Sequence, residues 1–190
     1  MKKFLSFPSF FFLLIFVFSS YSFSQEERLY LISKGQYFSI YGYKDLDISY
    51  LLQKLNFSYL QHIGVLSQGK DLKTTLANTI DAIYLEVSDI LDIHMYSYHG
   101  KIYIFPDKSY ISAVFKKYFG KEFSERSFYL HPRNAIYISF SDLTLGMLSH
   151  EIAHAIISHY FVVPPPAKVQ EVLCGYVEYI VRKKRGLIPR

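Results

Sequence analysis

The chain has one cysteine, Cys174, so no disulfide can form within it. Charged residues make up only 19% of its 190 residues and the formal net charge is +5, too mild a balance to indicate a nucleic-acid partner. Internal repeats, low-complexity tracts and linker-like runs of proline, glycine or serine are absent, which argues against a solenoid or a multidomain chain. Beyond the first 24 residues there is no second long apolar run, so no further segment suggests a membrane span. What is present is a 51% hydrophobic chain of a length that suits one domain with a real core.

Part of that hydrophobicity belongs to the N-terminus. Lys2 and Lys3 precede an almost wholly apolar stretch, Phe4 to Phe18, and small residues Ser22 and Ser24 stand just before Gln25. Basic start, apolar centre and small-residue end are the marks of a secretory signal peptide over residues 1–24. Pro8 splits the apolar run and leaves it short of the ~20 residues a spanning helix needs. No cysteine follows it to carry a lipid. The expected mature protein is exported, periplasmic or secreted, begins near Gln25 and has no stable membrane insertion. Losing Lys2 and Lys3 with the leader lowers the net charge from +5 to +3. Arg182 to Arg185 is a basic cluster at the end of an expected helix, where cations complement the backbone dipole.

In the mature part, Gln36 to Tyr43 alternates like a short strand, and Asp47 is placed to cap a helix through Leu55. Residues 25–70 give no clearer assignment. From Asp71, apolar residues at three- and four-residue steps predict a long helix carrying Leu72, Leu76, Ile80, Ile83, Val87, Ile90 and Leu91. Lys101 to Phe105 is β-branched and aromatic and reads as a strand, and Ser109 to Phe119 follows as a helix closed by Gly120. Ser127 to Leu130 and Ala135 to Phe140 read as strands joined by His-Pro-Arg-Asn. Asp142 is expected to cap a helix to about Tyr160, broken by Pro164, Pro165 and Pro166, and a last helix runs from Ala167 to about Lys184. The expected architecture is α+β: a small antiparallel or mixed sheet packed on a long helix, within a single domain over residues 25–190.

The chemistry lies between Ser149 and Tyr179, in SHEIAHAIISHYFVVPPPAKVQEVLCGYVEY. Residues four apart stand one above the other on a helix, so His150 and His154 present both imidazoles from one face. That spacing allows both to bind one tetrahedral ion. Glu151 is adjacent to the first histidine and flanks the ion without coordinating it, as a general base must. With seven histidines and eight glutamates in the chain, random order produces such a motif in roughly one chain in a hundred. The helix itself is predicted from Leu145, Leu148, Ile152, Ile156 and the terminating prolines, independently of the histidines.

A catalytic zinc takes three protein ligands and keeps one position open. A histidine six residues after His154 would complete one known set, but Tyr160 stands there and His159 is one residue early. The alternative donor is a glutamate on the following helix. Glu171 and Glu178 share one face of it, and Glu171, one turn in, is better placed after a chain reversal at the prolines.

HEIAH followed by EVLCGY resembles the zincin metallopeptidases of the glutamate type, in particular the compact peptidase-MA-like families. Glu171, Leu173 and Tyr176 match a Glu-x-Leu-x-x-Tyr segment those families often carry. The likeness spans roughly residues 70–184 and only the metal motif in it is specific. It implies a zincin-like fold, one Zn²⁺ per chain held by His150, His154 and Glu171, Glu151 as base, and a peptide or protein substrate. It also implies that the edge strand before the active helix binds substrate in extended form, with Ala135 to Phe140 as the candidate. Gly175 stands where thermolysin-like members have an aspartate, so support for the zinc must come from elsewhere. Tyr176, Tyr179 and His131 are the candidate oxyanion donors. The expected function is that of an exported zinc metallopeptidase. The alternative is a non-catalytic exported protein, with a merely amphipathic helix or a structural metal closed by Glu178 or Cys174.

Overall fold

The computed structural model describes residues 28–55, 71–122 and 124–184. The expected signal peptide over residues 1–24, its cleavage point and the segment 56–70 lie outside the described residues, as does Arg185 at the end of the basic cluster.

Among the described residues, five strands and five α-helices follow one another: β1 Tyr30–Lys34, β2 Phe38–Gly42, α1 Ile48–Lys54, α2 Leu72–Leu91, β3 Gly100–Phe105, α3 Lys108–Phe119, β4 Ser127–Leu130, β5 Ala135–Ser139, α4 Leu145–Tyr160 and α5 Ala167–Lys184. The fold is α+β with one mixed sheet in the order β1-β2-β3-β5-β4. β1 and β2 pair antiparallel, as do β4 and β5, whereas β2–β3 and β3–β5 are parallel. The sheet is therefore not the purely antiparallel one that neighbouring strands in sequence suggest. Parallel neighbours need a long crossover, and α1 with α2, and then α3, lie in the two crossovers. β1 was not foreseen: only one of its five residues, Ser33, is buried, so its sequence carries little alternation.

The two faces of the sheet hold two cores. Ile40, Ile102, Ile104, Ile136 and Ile138 face the helical layer with Leu76, Ile83 and Val87 of α2 and Leu148, Ile152 and Ile156 of α4. On the other face, Phe105, Phe128, Leu130 and Tyr137 pack with Ile111 and Val114 of α3. Each fully buried aliphatic side chain stabilises by about 1.5–3 kcal/mol relative to exposure, so the larger cluster dominates. Every residue of β5 is buried. That corrects the expectation that Ala135 to Phe140 forms the substrate-binding edge: β5 lies between β3 and β4, and β4 is the edge.

α4 begins two residues later than its sequence suggests. Thr144, not Asp142, is the cap, and its side chain accepts from the Met147 amide at 3.2 Å. Asp142 instead accepts from the hydroxyls of Ser139 (2.7 Å) and Ser141 (2.8 Å), tying the end of β5 to the turn. Those bonds hold its carboxyl below the usual carboxylate range. Thr144→Ala should lower unfolding free energy by about 1 kcal/mol, measured by urea titration. An unchanged midpoint would mean that α4 is anchored by its packing and not its cap.

At the other end the prolines turn the chain and α5 returns along α4, with Cys174, Val177 and Val181 buried between them. Gly146 marks the closest approach, for a Cβ there would lie 3.1 Å from side-chain carbons of Glu178 and Arg182. This packing brings the acidic flank of α5 over the histidine face of α4.

Candidate active site

His150 and His154 stand one turn apart on α4 with ring centroids 5.0 Å apart, both largely buried. The Glu171 carboxylate reaches over from α5. Its Oε2 is 3.5 Å from His150 Nε2, and its Oε1 is 3.3 Å from His154 Nε2. Two donors bound to a tetrahedral ion at about 2.0–2.1 Å are themselves about 3.3 Å apart. Each histidine thus stands about that far from one oxygen of the Glu171 carboxylate, Oε2 for His150 and Oε1 for His154. Burial, and then the neighbouring His150, push the His154 pKa down and favour the neutral ring that a metal requires.

The opposite nitrogen of His150 adds a second observation. Nδ1 is buried without a hydrogen-bond partner, and the nearest carboxylate oxygen, Glu178 Oε2, is 3.7 Å away. This is too long for a hydrogen bond but close enough for attraction. A ring that gives its Nε2 lone pair to a metal carries its proton on Nδ1, and a carboxylate beside that proton is the usual companion. The donor chemistry thus fits zinc, with Glu171 on the coordinating nitrogens and Glu178 behind one of them. His154 has its own support in Gln170, which hydrogen-bonds its ring and also donates to the Pro165 carbonyl at 2.8 Å.

Cys174 lies beneath the same histidines. One ligand atom from each of His150, His154 and Cys174 falls within 4.8 Å of the others. The two possible third donors sit one turn apart on α5. Burial pushes the thiol pKa up, and Glu151 and Glu171 push it further. Glu171 is the exposed one of the two, and its carboxylate reaches the Nε2 atoms of both histidines.

Glu151 reaches toward β4. Only 6% exposed, it accepts from Ser127 Oγ at 2.7 Å and from the Tyr129 backbone amide. The Ser139 amide donates to the Arg126 carbonyl, and the antiparallel alternation then turns the amides of Ser127 and Tyr129 away from β5. The outer side of the edge strand is thus what holds the glutamate. Burial pushes the Glu151 carboxyl up to about 7, the bonds from Ser127 and Tyr129 pull the other way, and Glu171 adds to the rise. A carboxylate that titrates near neutrality is well matched to general-base work.

His150, His154, Glu151, Glu171, Glu178 and Ser127, though not Cys174, line one open cleft of about 1070 Å³ between β4, α4 and α5. That is at the upper end of the range for small-molecule pockets and suits an extended chain. His131 lines it too, its ring 4.8 Å from that of His159. Tyr176 and Tyr179, the other candidate oxyanion donors, are about half exposed and do not line the cleft. His159 is engaged elsewhere, with the Ala155 carbonyl at 3.0 Å and the Tyr129 hydroxyl at 3.1 Å.

Sequence reasoning missed two residues here. Ser127 belongs to no motif, and only the edge position of β4 shows that it meets Glu151. Gln170 precedes Glu171 directly and reaches His154 only because the prolines fix where α5 starts. No family model matches the chain, and neither a curated protein nor a solved structure is significantly similar to it.

Proposed function

We propose that this chain is an exported zinc metallopeptidase of the glutamate-zincin type. The observation that carries the reading is the Glu171 carboxylate within 3.5 Å of the Nε2 atoms of both His150 and His154, with Glu151 buried beside them on the cleft wall. His150, His154 and Glu171 would hold one Zn²⁺. Zinc, when bound, makes water more acidic and polarises the carbonyl under attack. Glu151 takes the proton of the attacking water and delivers it to the departing amine. Ser127 and the Tyr129 amide keep its carboxylate at the cleft wall, so little reorganisation is needed at the moment of transfer. β4, the sheet edge beside the cleft, is the surface on which an extended polypeptide would lie. Export rests on the leader-like residues 1–24.

A second reading has one observation in its favour, the buried Cys174 thiol beside the two histidines. On that reading the ion is structural and closed by sulfur. The cobalt-substituted protein separates the two: a sulfur-to-metal charge-transfer band in the near ultraviolet supports the closed site, and its absence supports the open one. Zinc-loaded protein should also cleave members of a broad peptide library, lose that activity on chelation and regain it with zinc. Zinc binding without any cleavage would leave only the structural reading.

Ser127→Ala should keep full zinc content but lower kcat by about 10- to 100-fold, the worth of a hydrogen bond to a charged group. KM should change little and Ser127→Thr should restore most of the rate. Equal loss of zinc content in both variants would show that Ser127 supports the fold and not the base.

A further inference from the structure

α5 has apolar side chains on two faces, and only one of them is inside the protein. Cys174, Val177 and Val181 pack against α4, while Glu171 and Glu178 occupy the flank nearest His150. At about 100° per residue, the arc left facing away holds Lys168, Val169, Val172, Tyr176, Tyr179 and Lys183, with no acidic residue among them. Val172 is 66% exposed and Tyr176 52%. The loop that leads into α5 adds more exposed apolar residues: Val162 is fully exposed and Val163 is 81% exposed beside Phe161. Exposed apolar residues grouped on one helix arc and the loop before it suit an interaction surface.

Its shape and charge select the partner. A fully exposed valine loses the most water contact when it enters an apolar layer. A second copy set face to face by two-fold symmetry would bring lysines against lysines. An anionic lipid surface has the opposite charge. We propose that the Phe161–Val163 loop and the outer arc of α5 dock on an anionic bilayer surface. Val162 and Val163 enter the boundary of the acyl chains, Tyr176 and Tyr179 lie at headgroup depth, and Lys168 and Lys183 reach the lipid phosphates along their apolar stems. Pro164, which follows Val163 directly, also lines the cleft, so docking sets the cleft mouth beside the membrane. On the peptidase reading, this selects polypeptide close to a membrane surface.

An environment-sensitive fluorophore tests this in the full chain. It is attached at Val162→Cys, with Tyr96→Cys, 70% exposed on another loop, as control. Cys174 is fully buried and its thiol is protected from the label. With phosphatidylglycerol vesicles the probe at 162 should shift to the blue and be quenched by brominated acyl chains, and the probe at 96 should do neither. Lys168→Ala and Lys183→Ala should each weaken the response about five-fold, and phosphatidylcholine alone should give much less. Vesicle binding with no change at 162 would mean another segment holds the chain and would overturn the proposal. So would a blue shift that depends on protein concentration and not on lipid, which would assign the face to a second copy. Equal response to neutral vesicles would remove the anionic partner. The probe reports insertion whether or not the cleft is catalytic, so its failure and that of the peptidase reading are separable.

Discussion

Glu151→Gln is expected to retain about one zinc per chain and to lose peptidase activity by about 10²–10⁴-fold, the usual share of general acid–base catalysis. The amide keeps the size of the carboxylate and, through its oxygen, can still accept from Ser127 Oγ, now 2.7 Å from Glu151 Oε1. It cannot take a proton. Because burial already pushes the glutamate up to about 7, replacing it with a neutral group removes a costly buried charge, so the fold should be no less stable. The result is read from three measurements on one preparation: metal content, thermal unfolding and turnover of a library-selected peptide. His150→Ala serves as the contrast and should lose metal as well as activity. A Glu151→Gln protein that turns over as fast as wild type would remove Glu151 as the base.

The legible parts of this fold are those where local pattern and tertiary outcome agree. Asp71 caps α2 through the amides of Lys73 and Thr74, and Leu76, Ile80, Ile83 and Val87 are all buried, as the helical steps in the sequence require. The histidine pair was legible for the same reason, since spacing on a single helix needs no knowledge of the rest of the chain. What could not be read were pairings between distant segments. Nothing local in Ala135–Ser139 tells a central strand from an edge one, because the answer depends on β4 folding back outside it. Asp142 and Thr144 are both competent caps, and the choice fell to Thr144 because the hydroxyls of Ser139 and Ser141 engage the aspartate. Ser127 escaped notice for the same reason as β4: the meeting of an edge strand with a helix 24 residues away leaves no periodic trace.

Glu171→Ala is expected to weaken zinc binding by more than about a hundredfold, since loss of an outer-shell partner alone costs about 10–100-fold. Glu171 addresses the paired Nε2 atoms at 3.5 and 3.3 Å, so on the proposed reading its removal takes away a ligand. Glu178 addresses Nδ1 of His150 at 3.7 Å and also meets Arg182 at 3.4 Å. Glu178→Ala should therefore fall at or below the low end of the outer-shell range, about tenfold. Cys174→Ala separates the remaining possibility. On the reading in which Glu171 is the third ligand, loss of this buried thiol should leave affinity nearly unchanged while opening a small cavity that lowers stability. Competition with a chromophoric chelator at neutral pH measures all three on one scale. If Cys174→Ala matches the loss expected of Glu171→Ala while Glu171→Ala stays near wild type, the third ligand is sulfur and the site is the closed, structural one.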